Sequence, residues 1–558
     1  MTLETPITRA PSAIDEACEK FFAEYLKLSP EFGASLGLPG FEEAYEDRSP
    51  EGQRQVRDLM QRALDEIMGA TPVDSIDQVT QHAVHERLSL WIENIDSGWT
   101  PLNNIASAPQ NIRAVLDLMP TATAEDWDHI AGRLENIPEA LSQAAASYKK
   151  SASDGKIAAR RQVDIVLGQI ADYTKAGGFF DHLVESAPQI FRTDRLHASA
   201  DAAKSGYEQF AEFLRTELLP LAPEKDAFGR ERYLLASREF LGTSIDIDET
   251  YAWGVAELDR IIAEQERVAN AIKPGATIEE AKALLNADSS RVLHGTNALK
   301  AWMQEKSDAA VAALGEHHFD IPEPVRKLEC MIAPTQEGGI YYTGPSDDFS
   351  RPGQMWWSVP AGEETFLTWS ETSTVYHEGV PGHHLQIGTA VYLKETLNSV
   401  RRNFIWVSGH GEGWALYAER LMQELGYLDD LGDYLGMLDA QRMRAARVVF
   451  DLGVHCELEI PERWGSGVWT PEAGYEFLKK NLDTSPGQLD FEFNRYLGWA
   501  GQAPAYKIGE RLWNDLRDEV KLREGAAFDL KKFHREALAL GSVGLDTLKF
   551  ALTEVTVA

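Results

Sequence analysis

The sequence predicts a mainly α-helical fold with one small β-hairpin or sheet. Apolar residues recur at spacings of three and four along most of the chain, which is the period of one helix face. Several segments open with a hydroxyl residue followed by acids, as at Thr123, Thr277 and Thr470. Such residues cap free N–H groups and suit the helix dipole, so they predict helix starts. One region, from Gly338 to Pro360, departs from the helical pattern.

The composition limits the class of protein. The 558 residues, 44% of them hydrophobic, provide enough apolar side chains for a large core. This length allows about four domain-sized units, or one large core with added lobes. The formal net charge of −34 repels phosphate backbones and anionic lipid. We therefore expect no nucleic-acid partner and no membrane partner, and the oligomeric state stays open.

The cysteines and the N-terminal segment bear on the compartment. Cys18, Cys330 and Cys456 lie far apart and form no Cys-x-x-Cys pair, so neither a disulfide framework nor a cysteine zinc site is expected. Acids interrupt the N-terminal segment where a signal peptide needs an apolar stretch. No segment approaches the ~18 apolar residues of a spanning helix. We therefore expect a cytoplasmic location.

The region from Gly338 to Pro360 combines aromatic and β-branched residues with Gly-Pro and Pro-Gly pairs. This mixture is typical of short strands joined by turns, so it predicts a hairpin or small sheet. The region ends shortly before the segment that is richest in potential metal ligands. We therefore expect the hairpin to lie beside that site.

The most informative segment is residues 376–386, Tyr-His-Glu-Gly-Val-Pro-Gly-His-His-Leu-Gln. The only formal charges in residues 367–380 are Glu371 and Glu378, which predicts a buried helix whose polar side chains need partners. Two imidazoles and a later carboxylate suit Zn²⁺. A glutamate directly after the first ligand can take a proton from metal-bound water. The segment therefore predicts His377 as a zinc ligand and Glu378 as a general base.

The spacing of the histidines requires a break in this helix. Six residues of straight helix rise about 9 Å and turn about 600°, so His377 and His383 could not share a metal ion at ~2 Å bond lengths. Pro381 removes a backbone donor and Gly382 tolerates unusual dihedral angles, which predicts a break that returns His383 towards His377. His384 is the alternative ligand. Otherwise it supports a ligand or polarises the substrate.

A second segment, residues 409–419, carries two further acids. The predicted helix is apolar on both sides, with Trp414 and Ala418 on one stripe, so it is expected to be buried. A buried carboxylate without a partner is costly. Glu412, near the helix start beside small glycines, is therefore the predicted third metal ligand. Glu419, two turns later, is placed to orient a ligand.

These two segments resemble known metallopeptidases. His377-Glu378 with His383 and the later Glu412 resembles the gluzincins, in which two histidines and a glutamate hold zinc. The Glu-Gly-Trp-Ala-x-Tyr run resembles the third-ligand helix of the aminopeptidase N group. The complete pattern is similar, over most of the chain, to a bacterial family, domain of unknown function 885. That family's architecture is thought similar to the thimet oligopeptidase and angiotensin-converting enzyme group, with two helical lobes beside a deep channel.

The resemblance implies a domain division and further site residues. It suggests a helical lobe over residues 1–330 and a catalytic lobe over residues 331–558. Residues 495–509 look like the family's C-terminal signature. Within it Tyr506 is the candidate donor to an oxyanion, and Arg495 the candidate for a substrate carboxylate, with Lys507 as its alternative.

The hairpin from Tyr341 to Trp357 also takes a role from the resemblance. Related peptidases place an edge strand there, and an extended peptide pairs with that strand. Tyr342 is accordingly a candidate substrate contact, together with His384.

The function expected from these observations is a zinc-dependent hydrolase that cleaves peptide or related amide bonds of short substrates. Two histidines and a carboxylate also form the site of non-haem iron oxygenases, which is the first alternative. The second alternative is a protein that retains a metal ion without turnover. Metal content and the effect of Glu378→Gln on peptide hydrolysis distinguish the three.

Overall fold

The computed structural model describes residues 9–334 and 339–555, without the side chain of Glu316. It is 68% helix and 4% strand, which confirms the predicted mainly α fold. The α-helices are α1 Ala13–Leu28, α2 Pro30–Ser35, α3 Pro50–Gly69, α4 Ser75–Asp96, α5 Ala108–Ala114, α6 Ala124–Ser153, α7 Arg160–Thr174, α8 Phe179–Ser186, α9 Asp194–Phe213, α10 Arg230–Leu241, α11 Ile247–Ile272, α12 Ile278–Ala287, α13 Thr296–His317, α14 Thr368–Glu378, α15 His383–Tyr392, α16 Ser408–Glu424, α17 Leu431–His455, α18 Pro471–Asn481, α19 Pro486–Gly498, α20 Ala505–Glu524, α21 Leu530–Leu538 and α22 Leu545–Thr553.

The three predicted helix starts are confirmed. Thr123, Thr277 and Thr470 are the N-caps of α6, α12 and α18. In each case the threonine hydroxyl accepts a hydrogen bond from a backbone N–H of the first turn. At Thr123 and Thr277 the acid three residues later completes a reciprocal capping box.

The strands are β1 Val292–His294, β2 Leu328–Ile332, β3 Ile340–Thr343, β4 Gly353–Trp357 and β5 Thr365–Leu367. β3 and β4 form the predicted hairpin, in which Tyr341 lies opposite Trp356; Gly338 lies outside the described residues. β2 pairs with β4 in parallel, so the sheet order is β2-β4-β3 and β3 is at an edge. β1 and β5 form a separate antiparallel pair.

Two large hydrophobic clusters fill the interior. The main cluster takes side chains from both ends of the chain, including Ile14 and Leu548, and it contains buried residues of α14, α15, α16, α17 and α20. A second cluster is built from residues within the range Leu102–Ala222. The division into lobes at residue 330 stays a prediction.

Five helices that contribute to the main cluster, α14, α15, α16, α17 and α20, also line one cavity, described below. Among the described helices, none combines the length and apolar character needed to cross a bilayer. Residues 1–8, part of the segment on which the expected location depends, lie outside the described residues.

Candidate metal centre

The chain breaks between α14 and α15 as predicted. α14 ends at Glu378, α15 begins at His383, and the intervening residues reverse the chain. A Cβ atom on Gly382 would lie 1.9 Å from the carbonyl oxygen of His377, so only glycine permits this close return. The indole N–H of Trp414 donates to the Pro381 carbonyl at 2.9 Å. The rings of His377 and His383 consequently lie 4.8 Å apart, centroid to centroid.

The two histidines and Glu412 form one cluster. One potential ligand atom from each of His377, His383 and Glu412 lies within 4.8 Å of the others. The Glu412 Oε2 atom is 3.3 Å from His377 Nε2 and 3.4 Å from His383 Nε2. Bonds of ~2.0–2.2 Å in a tetrahedral zinc site place ligand atoms about 3.3 Å apart. A direct charge-assisted hydrogen bond would be shorter, at about 2.7–2.9 Å. The two distances from Glu412 Oε2 to the histidine Nε2 atoms therefore match those between ligands of a shared divalent cation.

Glu419 orients the first histidine. Its Oε1 atom lies 2.8 Å from Nδ1 of His377, and the carboxylate is 1% exposed. When Nδ1–H donates to this carboxylate, the lone pair of Nε2 points towards Glu412. His383 Nδ1 is buried and has no hydrogen-bond partner among the described residues. The contact predicted for Glu419 is thus present at His377.

Opposite charges hold the cluster together. Burial opposes ionisation of Glu412, but His383 and His377 hold the pKa of its carboxyl well below the usual range. Burial also lowers the pKa of His377, but the neighbouring carboxylates of Glu412 and Glu419 raise it to about 9. Next to it, burial raises the pKa of the Glu378 carboxyl. The donor set is therefore two imidazoles and one ionised carboxylate.

A cavity of about 590 Å³ opens onto the cluster. Its walls come from β3, α14, α15, α16, α17 and α20, together with the loop residues Trp406 and Asp483. All three cluster residues, Glu378 and Tyr506 line it. This volume suits a small ligand or a short peptide rather than a folded protein.

Close packing of α16 against α20 brings Tyr506 to this cavity. A Cβ atom on Gly413 would lie 2.5 Å from the carbonyl carbon of Gly509, so two glycines let the helix backbones touch. Tyr506 is one turn before Gly509 and faces Glu412. Burial, and then the charge of Glu412, raises the pKa of the Tyr506 hydroxyl far above its ordinary value. The hydroxyl therefore stays protonated and can donate a hydrogen bond into the cavity.

The comparisons with known proteins identify a family. The family model "Bacterial protein of unknown function (DUF885)" matches residues 30–552. The chain belongs to this family. No curated protein is significantly similar to the chain.

Two solved structures resemble this DUF885 protein in fold. A "putative lipoprotein" from Colwellia psychrerythraea has a TM-score of 0.80 and 21% sequence identity, and the match covers 97% of this chain and 98% of that one. A "putative lipoprotein of unknown function" from Shewanella oneidensis has a TM-score of 0.73 and 17% identity, with 98% and 100% covered. At these identities the likeness establishes the fold alone.

His384 and Tyr342, both predicted to contact substrate, bond to each other. The Tyr342 hydroxyl and His384 Nδ1 are 2.9 Å apart, and His384 Nε2 is 2.6 Å from the carbonyl oxygen of Val325. His384 is fully buried, and burial lowers its pKa to about 4. Both of its ring nitrogens are engaged by the protein, which leaves neither for a metal ion or a substrate. Tyr342 itself does line the cavity.

Arg495 and Lys507 are not brought to the cavity wall. Arg495 donates to Glu492 at 2.6 Å and also bonds to Gln502. Lys507 is 2% exposed and pairs with Glu510 at 2.6 Å on another side of α20. Both residues thus bond to protein side chains. Lys507 is next to Tyr506 in α20 but points in another direction, as adjacent residues of a helix do.

Two cavity residues of α17, Arg444 and Arg447, were missed in the sequence. The sequence contains an indication that both arginines need partners. α17 is largely apolar and buried, so a charge in it needs a partner by the same reasoning that led to Glu412. Gly436, Ala440 and Arg444 follow at four-residue spacing and share one face. The exposed aromatic Trp406, which faces the ring of His383, had no comparable signal.

Proposed function

We propose that this protein is a zinc-dependent hydrolase of peptide or related amide bonds in short substrates. The observation that carries the proposal is the cluster of His377, His383 and Glu412, whose ligand atoms lie within 4.8 Å of one another. The cluster lines a cavity of about 590 Å³ that also contains a second glutamate, Glu378, and a tyrosine, Tyr506.

The residues fit a zinc ion by their chemistry as well as their spacing. Two imidazole nitrogens and one carboxylate are a usual catalytic zinc set, which leaves a position for water. Glu419 supports His377 in the way that carboxylates support metal-bound histidines elsewhere. In such a site the bound ion lowers the pKa of water and polarises a carbonyl group.

The chain's own residues would perform the proton transfers. Glu378, directly after His377 and facing the cavity, would accept the proton of the attacking water and deliver it to the leaving amine. Tyr506 would donate its hydroxyl hydrogen to the developing oxyanion. The edge strand β3 lines the same cavity and would pair with the backbone of an extended substrate.

The motifs lend further support. Their similarity to the gluzincin peptidases concerns the same residues that the fold brings together. A cytoplasmic location and a substrate of short peptides stay predictions, as does kinship with the peptidases.

Metal analysis and one substitution test the proposal. The purified protein should contain about one zinc ion per chain, and Glu378→Gln should keep that zinc while losing roughly 100- to 10,000-fold in peptide hydrolysis. Glu395→Gln, an exposed glutamate just after α15, is the matched control and should retain full activity.

Other results would point to the alternatives. Iron together with oxygen consumption would favour an oxygenase. Stoichiometric zinc without hydrolysis of any peptide in a library would favour a metal-binding protein without turnover. Unchanged hydrolysis by the Glu378→Gln variant would remove this residue as the base.

A further inference from the structure

Two arginines of α17 face the cavity beside the candidate metal centre. The Arg444 Nη2 atom is 3.8 Å from Glu419 Oε1, longer than the ~2.7–2.9 Å of a charge-assisted hydrogen bond. Its Nε atom is buried and has no hydrogen-bond partner among the described residues. Arg447 donates to the Tyr496 hydroxyl at 2.6 Å and to Glu492 at 3.2 Å, which holds its guanidinium in place. Arg444 is therefore a cation that lacks a close anion.

Among the described residues, Arg444 has no carboxylate within hydrogen-bond distance. Glu492 is shared between Arg447 and Arg495. Glu419 lies closer to His377, at 2.8 Å, than to Arg444. Glu378 also lines the cavity and interacts with Arg444 through its charge, but not by a hydrogen bond. Because a buried cation without a hydrogen-bonded partner is costly, the Arg444 guanidinium is a site for an anion from outside.

Helix packing places Arg444 next to the cluster of His377, His383 and Glu412. A Cβ atom on Gly436 would lie 3.0 Å from Cα of Ser370, so α17 and α14 meet there. Arg444 and Glu378 each lie eight residues further along their helices, about 12 Å away. Because Arg444 also lies 3.8 Å from Glu419, which contacts His377, the two helices run in the same direction and both residues lie at the same end of the cavity. The contacts from Arg444 through Glu419 to His377 limit the distance between the guanidinium and His377 Nε2 to about 9 Å.

This upper limit restricts the length of a substrate segment that could bridge Arg444 and the cluster. An extended residue spans about 3.3–3.6 Å. A carboxylate bound to Arg444 is thus at most one or two residues away from a carbonyl group placed at the cluster.

We infer that Arg444 and Arg447 bind the C-terminal carboxylate of the substrate, so that the protein releases the last one or two residues of short peptides. This inference rests on the proposed hydrolase function. In the reaction, the oxygen of water adds to the carbonyl carbon and the C–N bond breaks. The proton taken by Glu378 passes to the leaving nitrogen. The released amino acid or dipeptide departs with its carboxylate intact.

Three peptides test the inference. They are N-acetylated Ala-Ala-Phe as the free acid, the same peptide as the C-terminal amide, and N-acetylated Ala-Ala-Glu as the C-terminal amide. Binding is measured by calorimetry on the zinc-loaded Glu378→Gln variant, and the products of the wild-type protein are identified by mass spectrometry. The free acid should bind about 10- to 100-fold more tightly than either amide. Only its last one or two residues should be released.

Substitutions on α17 test whether Arg444 causes the preference for the free acid over the amide. Arg444→Gln should abolish the preference for the free acid, and Arg444→Lys should keep part of it. Arg442→Gln is the control on the same helix, because Arg442 donates to Asn481 at 3.1 Å and lies outside the cavity wall. Arg447 is a poorer test, since it also holds Tyr496 and Glu492. Melting temperatures confirm that each variant folds.

Each possible result either supports or overturns the inference. Equal binding of acid and amide, or a preference that survives Arg444→Gln, overturns the inference. Preferred binding of the glutamate amide would mean that a side-chain carboxylate is recognised, which also overturns it, as would cleavage at the amino end. If the free acid binds selectively through Arg444 but no peptide is hydrolysed, the carboxylate anchor stands and the proposed hydrolase function fails.

Discussion

Glu419→Gln is expected to weaken zinc binding by about 10- to 100-fold, which is about 1.4–2.8 kcal/mol. The Glu419 carboxylate lies 2.8 Å from Nδ1 of His377 and is 1% exposed, so water cannot replace it. The amide keeps the shape of the side chain but removes the negative charge that makes His377 a stronger ligand. The loss also leaves Arg444, 3.8 Å away, without its nearest carboxylate.

Competition with a chromophoric zinc chelator at neutral pH measures the affinity. Glu424→Gln, five residues further along α16, is the control, because Glu424 pairs with Arg517 at 3.2 Å on the outer side of the helix. Circular dichroism melting shows whether both variants fold. If the Glu419→Gln variant folds and its zinc affinity stays within about twofold of wild type, Glu419 does not support His377 as a ligand.

Four further substitutions, one of them a control, probe the oxyanion donor, the packing of α17 against α14 and a buried acid. Tyr506→Phe should lower kcat about 100-fold with little change in KM, because the hydroxyl donates chiefly to the transition state; an unchanged kcat would exclude this role. Gly436→Ala should destabilise the protein by about 2 kcal/mol, since its Cβ would lie 2.1 Å from the carbonyl oxygen of Trp369. Gly168→Ala in α7, with open space around it, should instead stabilise by roughly 0.5–1 kcal/mol in urea unfolding. Burial raises the pKa of Asp451 to about 7 from 3.8, so the folded state keeps a proton that the unfolded state releases, and this contribution to stability is lost as the pH rises from about 4 through 7. Asp451→Asn should therefore gain stability relative to wild type over that range, by up to about 1.4 kcal/mol per pH unit, and a constant difference would contradict the assignment.

Features that depend on neighbouring residues could be predicted from the sequence. A threonine cap acts within one helical turn, so Thr123, Thr277 and Thr470 mark helix starts without knowledge of the fold. The β3–β4 hairpin is local in the same sense. The parallel pairing of β2 with β4 is not, because its partners are 25 residues apart at Leu328 and Gly353 and no turn connects them directly. Periodicity shows which helix face is apolar, but not what that face packs against.

The candidate site shows the same limit at the level of single side chains. The close approach of His377 and His383 could be predicted, because a shared cation with a fixed bond length would constrain how the chain between them must bend. No such constraint acts on Arg444. The apolar pattern of α17 indicates that its charges need partners, but only the packing against α14 and α16 shows which of them face the cavity. Conversely, His384 was assigned to substrate because it follows His383, and Arg495 because it lies in the C-terminal signature and a guanidinium suits a carboxylate, yet each is held by protein partners. The residues of a candidate metal cluster can thus be inferred from sequence spacing, whereas a candidate substrate anchor such as Arg444 requires the tertiary structure, because its signal is the absence of a close partner among the described residues.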